Sequence, residues 1–255
     1  MIDLILLAAG SGKRMKSSTN KQFLKIDDKP ILIHSLEKFY NHKNIDRIIL
    51  AVKEDEEKYV RYLLDKYGFE GIYLVHGGKE RQDSIFNCLK YIKNLGHNLT
   101  HNRSSIKSQI ISSDKEPALG INEDIHIVLV HDGARPFVSE STIDTCIKET
   151  LVHKATCLAV PAKDTIKLAD KDLNIVDTPD RKYLWCAQTP QTFDFDLLLR
   201  AYENAYTNKL SVTDDASIVE AYCHPVKIIK GNYDNIKITT PEDIGYADYI
   251  AQKYK

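Results

Sequence analysis

Residues 2–15 constrain this chain more than any other stretch. Ile2-Asp3-Leu4-Ile5-Leu6-Leu7 is an apolar run of strand length that empties into Ala8-Ala9-Gly10-Ser11-Gly12-Lys13-Arg14-Met15, with Lys21-Gln22-Phe23 beyond. A buried strand that ends in a glycine loop is the opening unit of an open α/β sheet, where ligands sit at the carboxyl ends of strands. Gly10 and Gly12 can take positive φ and leave bare backbone, whose amides point outward as anion donors. Arg14 and Lys21 add full positive charge beside that concavity. A glycine loop followed by Arg and Lys suits a polyphosphate.

Three readings compete for this loop. A dinucleotide fingerprint, G-x-G-x-x-G, needs a third glycine where this chain has Met15. A P-loop needs G-x-x-x-x-G-K-[ST], which does not occur. The third reading is a nucleotidyltransferase loop that holds a nucleoside triphosphate by backbone and cations. With Ala8-Ala9 before it and Arg14-Met15 after it, the string resembles the opening of the sugar-nucleotide-type nucleotidyltransferases, a Rossmann-like α/β family.

The rest of the chain fits that class. At 255 residues it can bury one large core or two small ones. A formal net charge of -1 gives no bulk field to recruit nucleic acid or an anionic membrane, so phosphate binding must come from a local cluster of cations. The five cysteines are odd in number, scattered and without C-x-x-C, which fits reduced cytoplasmic thiols better than a disulfide framework or zinc site. The apolar start is too short for a membrane span and has no basic flank, so it is expected to be a core strand and not a leader.

Strands are expected at residues 47–52, 72–75, 125–130, 156–161 and 226–230, with helices at 30–39, 54–67, from about 80, 140–154, 194–206, 216–222 and from 241. Alternation of this kind gives a mostly parallel sheet with right-handed crossovers. Residues 164–169 and 173–177 alternate like a hairpin, too small to be stable alone unless packed on a partner subunit. Residues 96–123 lose apolar periodicity and read as a polar insertion of low order. The expected organisation is one domain over 1–255, with a β-arm at 164–183.

Further motifs narrow the class. Ala8-Ala9-Gly10-Ser11-Gly12-Lys13-Arg14-Met15 with Lys21-Gln22, Gly77-Gly78 with Arg81 and Ser84, and His131-Asp132-Gly133-Ala134-Arg135-Pro136 occur together. So do Asp164-Thr165-Ile166-Lys167, Leu184-Trp185 through Gln188-Thr189-Pro190-Gln191, Thr213-Asp214-Asp215-Ala216-Ser217 and Asp234-Asn235-Ile236-Lys237. Together they resemble the 2-C-methyl-D-erythritol 4-phosphate cytidylyltransferase family of the non-mevalonate isoprenoid route, nearly end to end except for the insertion.

The resemblance implies transfer of CMP from CTP to a polyol phosphate with release of pyrophosphate. Arg14 and Lys21 would stabilise the transition state, while Ala8, Ala9, Gly10 and Gly12 lie against the nucleotide. Gly78, Arg81 and Ser84 would frame cytosine and ribose. Asp132 would face a triphosphate-bound magnesium ion, with Asp234 a weaker second metal candidate. Arg181 and Lys237 would grip the acceptor phosphate, and Thr165, Thr189 and Thr213 would complete its pocket. Arg181, beside the arm, would reach into a neighbouring subunit of a homodimer with shared active sites, and Trp185 would pack at the arm's root.

Asn20 stands where many relatives have Pro, which is expected to loosen the loop before Lys21. The nearest alternative is a ribitol 5-phosphate cytidylyltransferase. A non-catalytic nucleotide sensor would have lost Arg14, Lys21 or Asp132, and a dehydrogenase would need glycine at Met15.

Overall fold

A computed structural model of the chain describes residues 1–10, 20–96 and 125–254. Gly12, Arg14 and the 96–123 insertion beyond Gly96 therefore lie outside the described residues.

Seven strands form one sheet: β1 (Ile2–Leu7), β4 (Arg47–Val52), β5 (Ile72–His76), β6 (Ile127–Asp132), β7 (Ala155–Pro161), β10 (Trp185–Asp194) and β11 (Lys227–Lys230). Their order across the sheet is β11-β7-β10-β6-β1-β4-β5. β1 sits near the centre, parallel to both β4 and β6. It is apolar on both faces because both faces are covered, as is usual for a parallel strand under helices. Leu4 and Leu6 enter one core with Leu36, Phe39, Leu50 and Leu129, while Ile5 points the other way, toward Ile85, Leu89, Val130 and Phe193. That alternation is the two-residue period of a strand.

Helices α1 (Ile31–Tyr40), α2 (Glu57–Lys66) and α4 (Glu140–His153) contribute to the first core. Helices α3 (Arg81–Leu95), α5 (Phe195–Thr207) and α6 (Asp215–Ala221) contribute to the second, and α7 (Pro241–Lys253) packs on a small satellite core. Local chemistry sets several starts. Glu80 and Asp83 form a capping box at α3, Ser139, Asp194 and Asp214 cap α4, α5 and α6 through their side chains, and Thr240 with Asp243 boxes α7 behind Pro241. Pro30, expected inside the first helical turn, is instead its N-cap. It also pairs in a two-residue ribbon, β2 (Lys25–Ile26) with β3 (Lys29–Pro30).

β10 departs from the parallel rule, running antiparallel to both β6 and β7. The cause is the arm. The chain leaves the sheet at the end of β7, makes the short antiparallel pair β8 (Leu168–Ala169) and β9 (Ile175–Asp177), and returns at the same edge. Antiparallel return needs no crossover helix. All five cysteines are unpaired, with Cys88, Cys146 and Cys157 buried.

The amino edge of the sheet is closed by a buried ion pair. Arg47 donates from Nε to Asp3 Oδ1 at 2.6 Å and from Nη2 to Asp3 Oδ2 at 2.5 Å, and His126 Nε2 lies 2.8 Å from the same carboxylate. Arg47 Nη1 also donates to the Gly96 carbonyl at 3.2 Å. Gly96 and His126 flank the insertion, so the chain leaves and rejoins the fold at this edge.

Burial opposes ionisation of Asp3, but hydrogen bonds and charge from Arg47 and His126 hold its carboxyl below the usual range. A carboxylate depressed in the folded state contributes stability that is complete above its unfolded pKa of about 3.9 and is lost as pH falls below it. Arg47→Met should therefore cost about 3–5 kcal/mol at neutral pH by stranding a buried charge. The gap between variant and parent, measured by urea unfolding, should narrow as pH falls, beginning above about 4, because the stranded carboxyl takes up a proton more readily than a free one. A gap that stays constant with pH would show that the pair contributes packing alone.

Candidate active site

Four strands end at one place. The Ala8 amide donates to the Ala51 carbonyl at 2.8 Å, Gly77 to Val52 at 2.8 Å, and Gly133 to Leu7 at 2.9 Å. Each bond carries the sheet's register one residue past a strand end. The result is a cleft of about 530 Å³ at the carboxyl edge, lined by Ala9, Gly10, Gly78 and Ser84 and by the charged groups of Lys21, Arg81, Asp132 and Lys237.

The glycines act differently from one another. Gly10 does not use the positive φ open to it, and among the described residues a Cβ built there meets nothing within 4 Å. A Cβ on Gly77 would lie 2.4 Å from the Ala9 Cβ and 2.8 Å from Ser84 Oγ, and one on Gly78 would lie 2.2 Å from the Asp83 Cβ. Here glycine permits close approach of the first loop, the second loop and the start of α3. Ser84 Oγ accepts from the Gly78 amide at 3.0 Å and donates to the Glu80 carbonyl at 3.1 Å, so its hydroxyl shapes this loop from within.

Asp132, at the end of β6 and 8% exposed, holds the charge of the cleft together. Lys237 Nζ lies 2.7 Å from one oxygen, Arg81 Nε 3.7 Å from the other, and Arg135 Nε 3.8 Å from the first. Burial alone would raise its pKa, but these three cations hold the carboxyl far below the ordinary range. Arg81 is anchored a second time through Asp215 at 2.6 Å, and Asp215 in turn accepts from the Tyr202 hydroxyl at 2.6 Å. Desolvation works against the Arg81 charge, yet Asp215 and Asp132 keep its pKa above the usual value.

Thr189 lies behind the cleft wall. It is 4% exposed, its Oγ1 accepts from the Asp132 amide at 3.0 Å, and it lies 3.1 Å from His131 Nδ1. His131 Nε2 lies 2.9 Å from the Arg135 carbonyl, and burial pushes the ring's pKa down to about 4. The imidazole is therefore neutral and adds no charge to the site. Thr189 thus ties β10 to the end of β6 and does not line the cleft in which a sugar contact was expected of it.

Asp234 is also outside the cleft. Its Oδ2 accepts from Lys253 Nζ and from the Tyr254 hydroxyl, both at 2.7 Å, tying its turn to the terminal helix. Ala8 is buried beneath the cleft floor. Thr165 and Arg181 are exposed on the arm, where Arg181 Nη1 donates to the Lys163 carbonyl at 2.8 Å, and Thr213 is exposed before α6. Trp185, expected to pack at the arm's root, is 37% exposed.

The loop that Asn20 was expected to loosen lies outside the described residues; the Asn20 amide itself donates to Glu56 Oε1 at 2.7 Å. Sequence reasoning also passed over Lys53 and the pairing of Arg81 with Asp215. Lys53 lines the cleft one residue beyond β4, and position past a strand end is the signal that could have found it.

The profile of the family described as IspD, 2-C-methyl-D-erythritol 4-phosphate cytidylyltransferase, matches residues 2–112 and 115–253. A relative named 2-C-methyl-D-erythritol 4-phosphate cytidylyltransferase, from Clostridioides difficile (strain 630), is 40% identical over 256 residues, covering 100% of this chain and 95% of the relative. Among solved structures, a 4-diphosphocytidyl-2C-methyl-D-erythritol synthase from Anaerococcus prevotii matches with a TM-score of 0.77 at 33% identity, over 98% of this chain and 96% of that one. The 2-C-methyl-D-erythritol 4-phosphate cytidylyltransferase of Francisella tularensis matches with a TM-score of 0.72 at 30% identity, over 98% and 99% of the two chains.

The glycine geometry gives a direct check. Gly77→Ala should lower stability by about 1–3 kcal/mol, the usual cost of overpacking, whereas Gly10→Ala should change it by less than about 0.5 kcal/mol. Urea midpoints of the two variants measure the contrast, and equal midpoints would mean the contact at Gly77 relaxes freely.

Proposed function

The chain belongs to the 2-C-methyl-D-erythritol 4-phosphate cytidylyltransferase family, and from that premise we propose how its residues divide the reaction. The enzyme transfers CMP from CTP to the phosphate of 2-C-methyl-D-erythritol 4-phosphate, giving 4-diphosphocytidyl-2-C-methyl-D-erythritol and pyrophosphate. The family match favours this acceptor over ribitol 5-phosphate. The observation that carries the division of roles is the cluster of Lys21, Arg81 and Lys237 along one cleft with Asp132.

An oxygen of the acceptor phosphate attacks the α-phosphorus of CTP. One P–O bond forms as the bond to the β-phosphate oxygen breaks, and pyrophosphate leaves with the electron pair. A phosphate monoester has its second pKa near about 6 and is already ionised at neutral pH, so no general base is required. The protein's task is to bring two anions together in line and to meet the charge that develops. Lys21 and Arg14 do this at the α-phosphate and the leaving group. Ala9, Gly10 and Gly12 give the nucleotide a bare floor, and Ala8 supports it from beneath. Gly78 and the start of α3 frame the base, and Ser84 acts by shaping the Gly78 loop. Lys237 receives the acceptor phosphate.

The described residues contain no group of three or more His, Cys, Asp or Glu able to cage a metal. A single cleft carboxylate beside triphosphate oxygens is a donor set that magnesium accepts, so Asp132 fits the role and Asp234, turned to the terminal helix, does not. Bound there, the ion would neutralise part of the triphosphate charge.

The arm supports a homodimer with shared sites. Leu173 is 85% exposed, Tyr183 74%, Val176 63% and Ile175 62%, so the arm displays large apolar side chains of the kind that an interface covers. Arg181 and Thr165, on the same arm, would then complete the partner's acceptor pocket. No helix among the described residues is long and apolar enough to cross a membrane, and the unpaired cysteines suit a reducing, cytoplasmic setting.

Pyrophosphate release from CTP, magnesium and each acceptor tests the reading. Turnover on the ribitol phosphate alone would overturn it. Lys21→Ala and Arg14→Ala should each lower kcat by about 10²–10³-fold with the fold intact by circular dichroism, the scale for removing a charge-stabilising donor. Replacing Leu173, Ile175 and Val176 together with serine should yield monomers by light scattering and abolish turnover. A fully active monomer would show that each cleft is complete within one chain.

A further inference from the structure

The two neighbours of Lys21 are tied to one carboxylate. Glu56 Oε1 accepts from Asn20 Nδ2 at 2.7 Å and Glu56 Oε2 accepts from Gln22 Nε2 at 3.2 Å. Gln22, 2% exposed, also donates to the Ala8 carbonyl at the end of β1. Between these two anchors, residues Lys21–Phe23 form a 3-10 turn closed by the Phe23 amide on the Asn20 carbonyl at 2.9 Å and the Leu24 amide on the Lys21 carbonyl at 3.2 Å. The Phe23 ring meets Tyr59 of α2 edge-on, with ring centroids 4.9 Å apart. Glu56 itself ends a short 3-10 turn directly after β4, next to Lys53, whose Nζ is 3.6 Å from it.

We propose that Glu56 is a positioning residue for nucleotidyl transfer: its two oxygens clamp Asn20 and Gln22, and so fix the backbone from which Lys21 reaches the cleft. The proposal rests on the reading of Lys21 as the group that stabilises charge on the triphosphate. By charge alone, a carboxylate beside a polyanion site works against binding. The hydrogen-bond geometry gives it another use. A flexible lysine stabilises a developing charge well only when its stem is held in advance, because reorganisation during the reaction then falls away. Glu56 supplies that hold from the rigid end of β4, and Gln22 links the same turn to β1. Two adjacent strands thus set the position of one ammonium group.

The backbone at Asn20 provides an independent handle. Its φ of -61° and ψ of 137° lie where a proline ring would hold them, at a φ of about -65°. A proline there would impose by ring closure what Glu56 imposes by hydrogen bond, while making that bond impossible. The brace can therefore be removed and replaced by different chemistry.

The test uses steady-state kinetics of the full chain with CTP and the methylerythritol phosphate, with melting temperature followed in parallel. Glu56→Ala should lower kcat by about tenfold with KM for CTP moved less than about threefold, in keeping with the cost of a small misplacement. Asn20→Ala breaks the same bond without touching β4 and should fall likewise, which keeps the test available if Glu56→Ala does not fold. Adding Asn20→Pro to Glu56→Ala should restore kcat to within about threefold of the parent, since the ring holds the same angle. In a Lys21→Ala background, measured by single turnover, Glu56→Ala should cost nothing further, as expected for two residues acting as one unit. Parent-like rates in Glu56→Ala and Asn20→Ala beside a slow Lys21→Ala would overturn this inference and leave the reading of Lys21 standing. A parent-like Lys21→Ala would overturn both. A loss that proline does not recover and that adds fully to Lys21→Ala would also overturn it, assigning Glu56 a role apart from Lys21.

Discussion

A nearly buried carboxylate faces three cations at the end of β6, and the open edge of the sheet is arranged around that imbalance. Asp132 takes Lys237 at 2.7 Å, Arg81 at 3.7 Å and Arg135 at 3.8 Å. These come from α3, from the turn after β6 and from the segment before α7, which are far apart in sequence. Without the anion, like charges at such separations in a low-dielectric wall would drive one another apart. With it, they converge and still leave an excess of positive charge. Each guanidinium has a further anchor, Arg81 on Asp215 and Arg135 on the Asn235 carbonyl at 2.8 Å. The field that a triphosphate meets is therefore set before it arrives, and preorganisation of this kind accounts for much of the power of charge-stabilising sites.

The two edges of the sheet solve opposite problems. At the amino edge, Asp3 and Arg47 match in a bidentate pair with His126 alongside, so the charge there is satisfied internally. At the carboxyl edge, charge is left unbalanced for a ligand. Gly96 and His126, which stand on either side of residues 97–124 in the sequence, both touch the satisfied edge.

What could be read from the sequence was whatever local pattern controls. The buried strands announced themselves as apolar runs, and the loops after them as Gly10, Gly77-Gly78 and Asp132-Gly133, so the cleft's floor and several of its charges were legible. β10 was not legible as an antiparallel strand, because its direction follows from where the arm returns the chain and not from its own residues. Thr189 and Asp234 carried the right atoms for ligand contact, but distant partners claim them: the Asp132 amide and His131 for one, Lys253 and Tyr254 for the other. For Asn20, spacing gives no hint that Glu56, 36 residues away, takes its amide. Side-chain bonds across the fold are where one-dimensional reading stops.

Lys237 differs in kind from the two arginines, and the difference matters for its proposed role toward the acceptor phosphate. Arg81 and Arg135 each hold a second acceptor outside Asp132, in geometries that a planar fork maintains. Lys237 offers a rotatable ammonium on a flexible stem, one third exposed at the cleft, with Asp132 as its counter-ion. On the proposed reading of Lys237, an incoming phosphate would exchange with that carboxylate at the ammonium without dismantling the wall, because the guanidinium anchors remain. A cation already paired across the cleft loses less solvation on meeting its substrate than one taken directly from water. The same carboxylate that keeps the cluster together thus also keeps one of its members available.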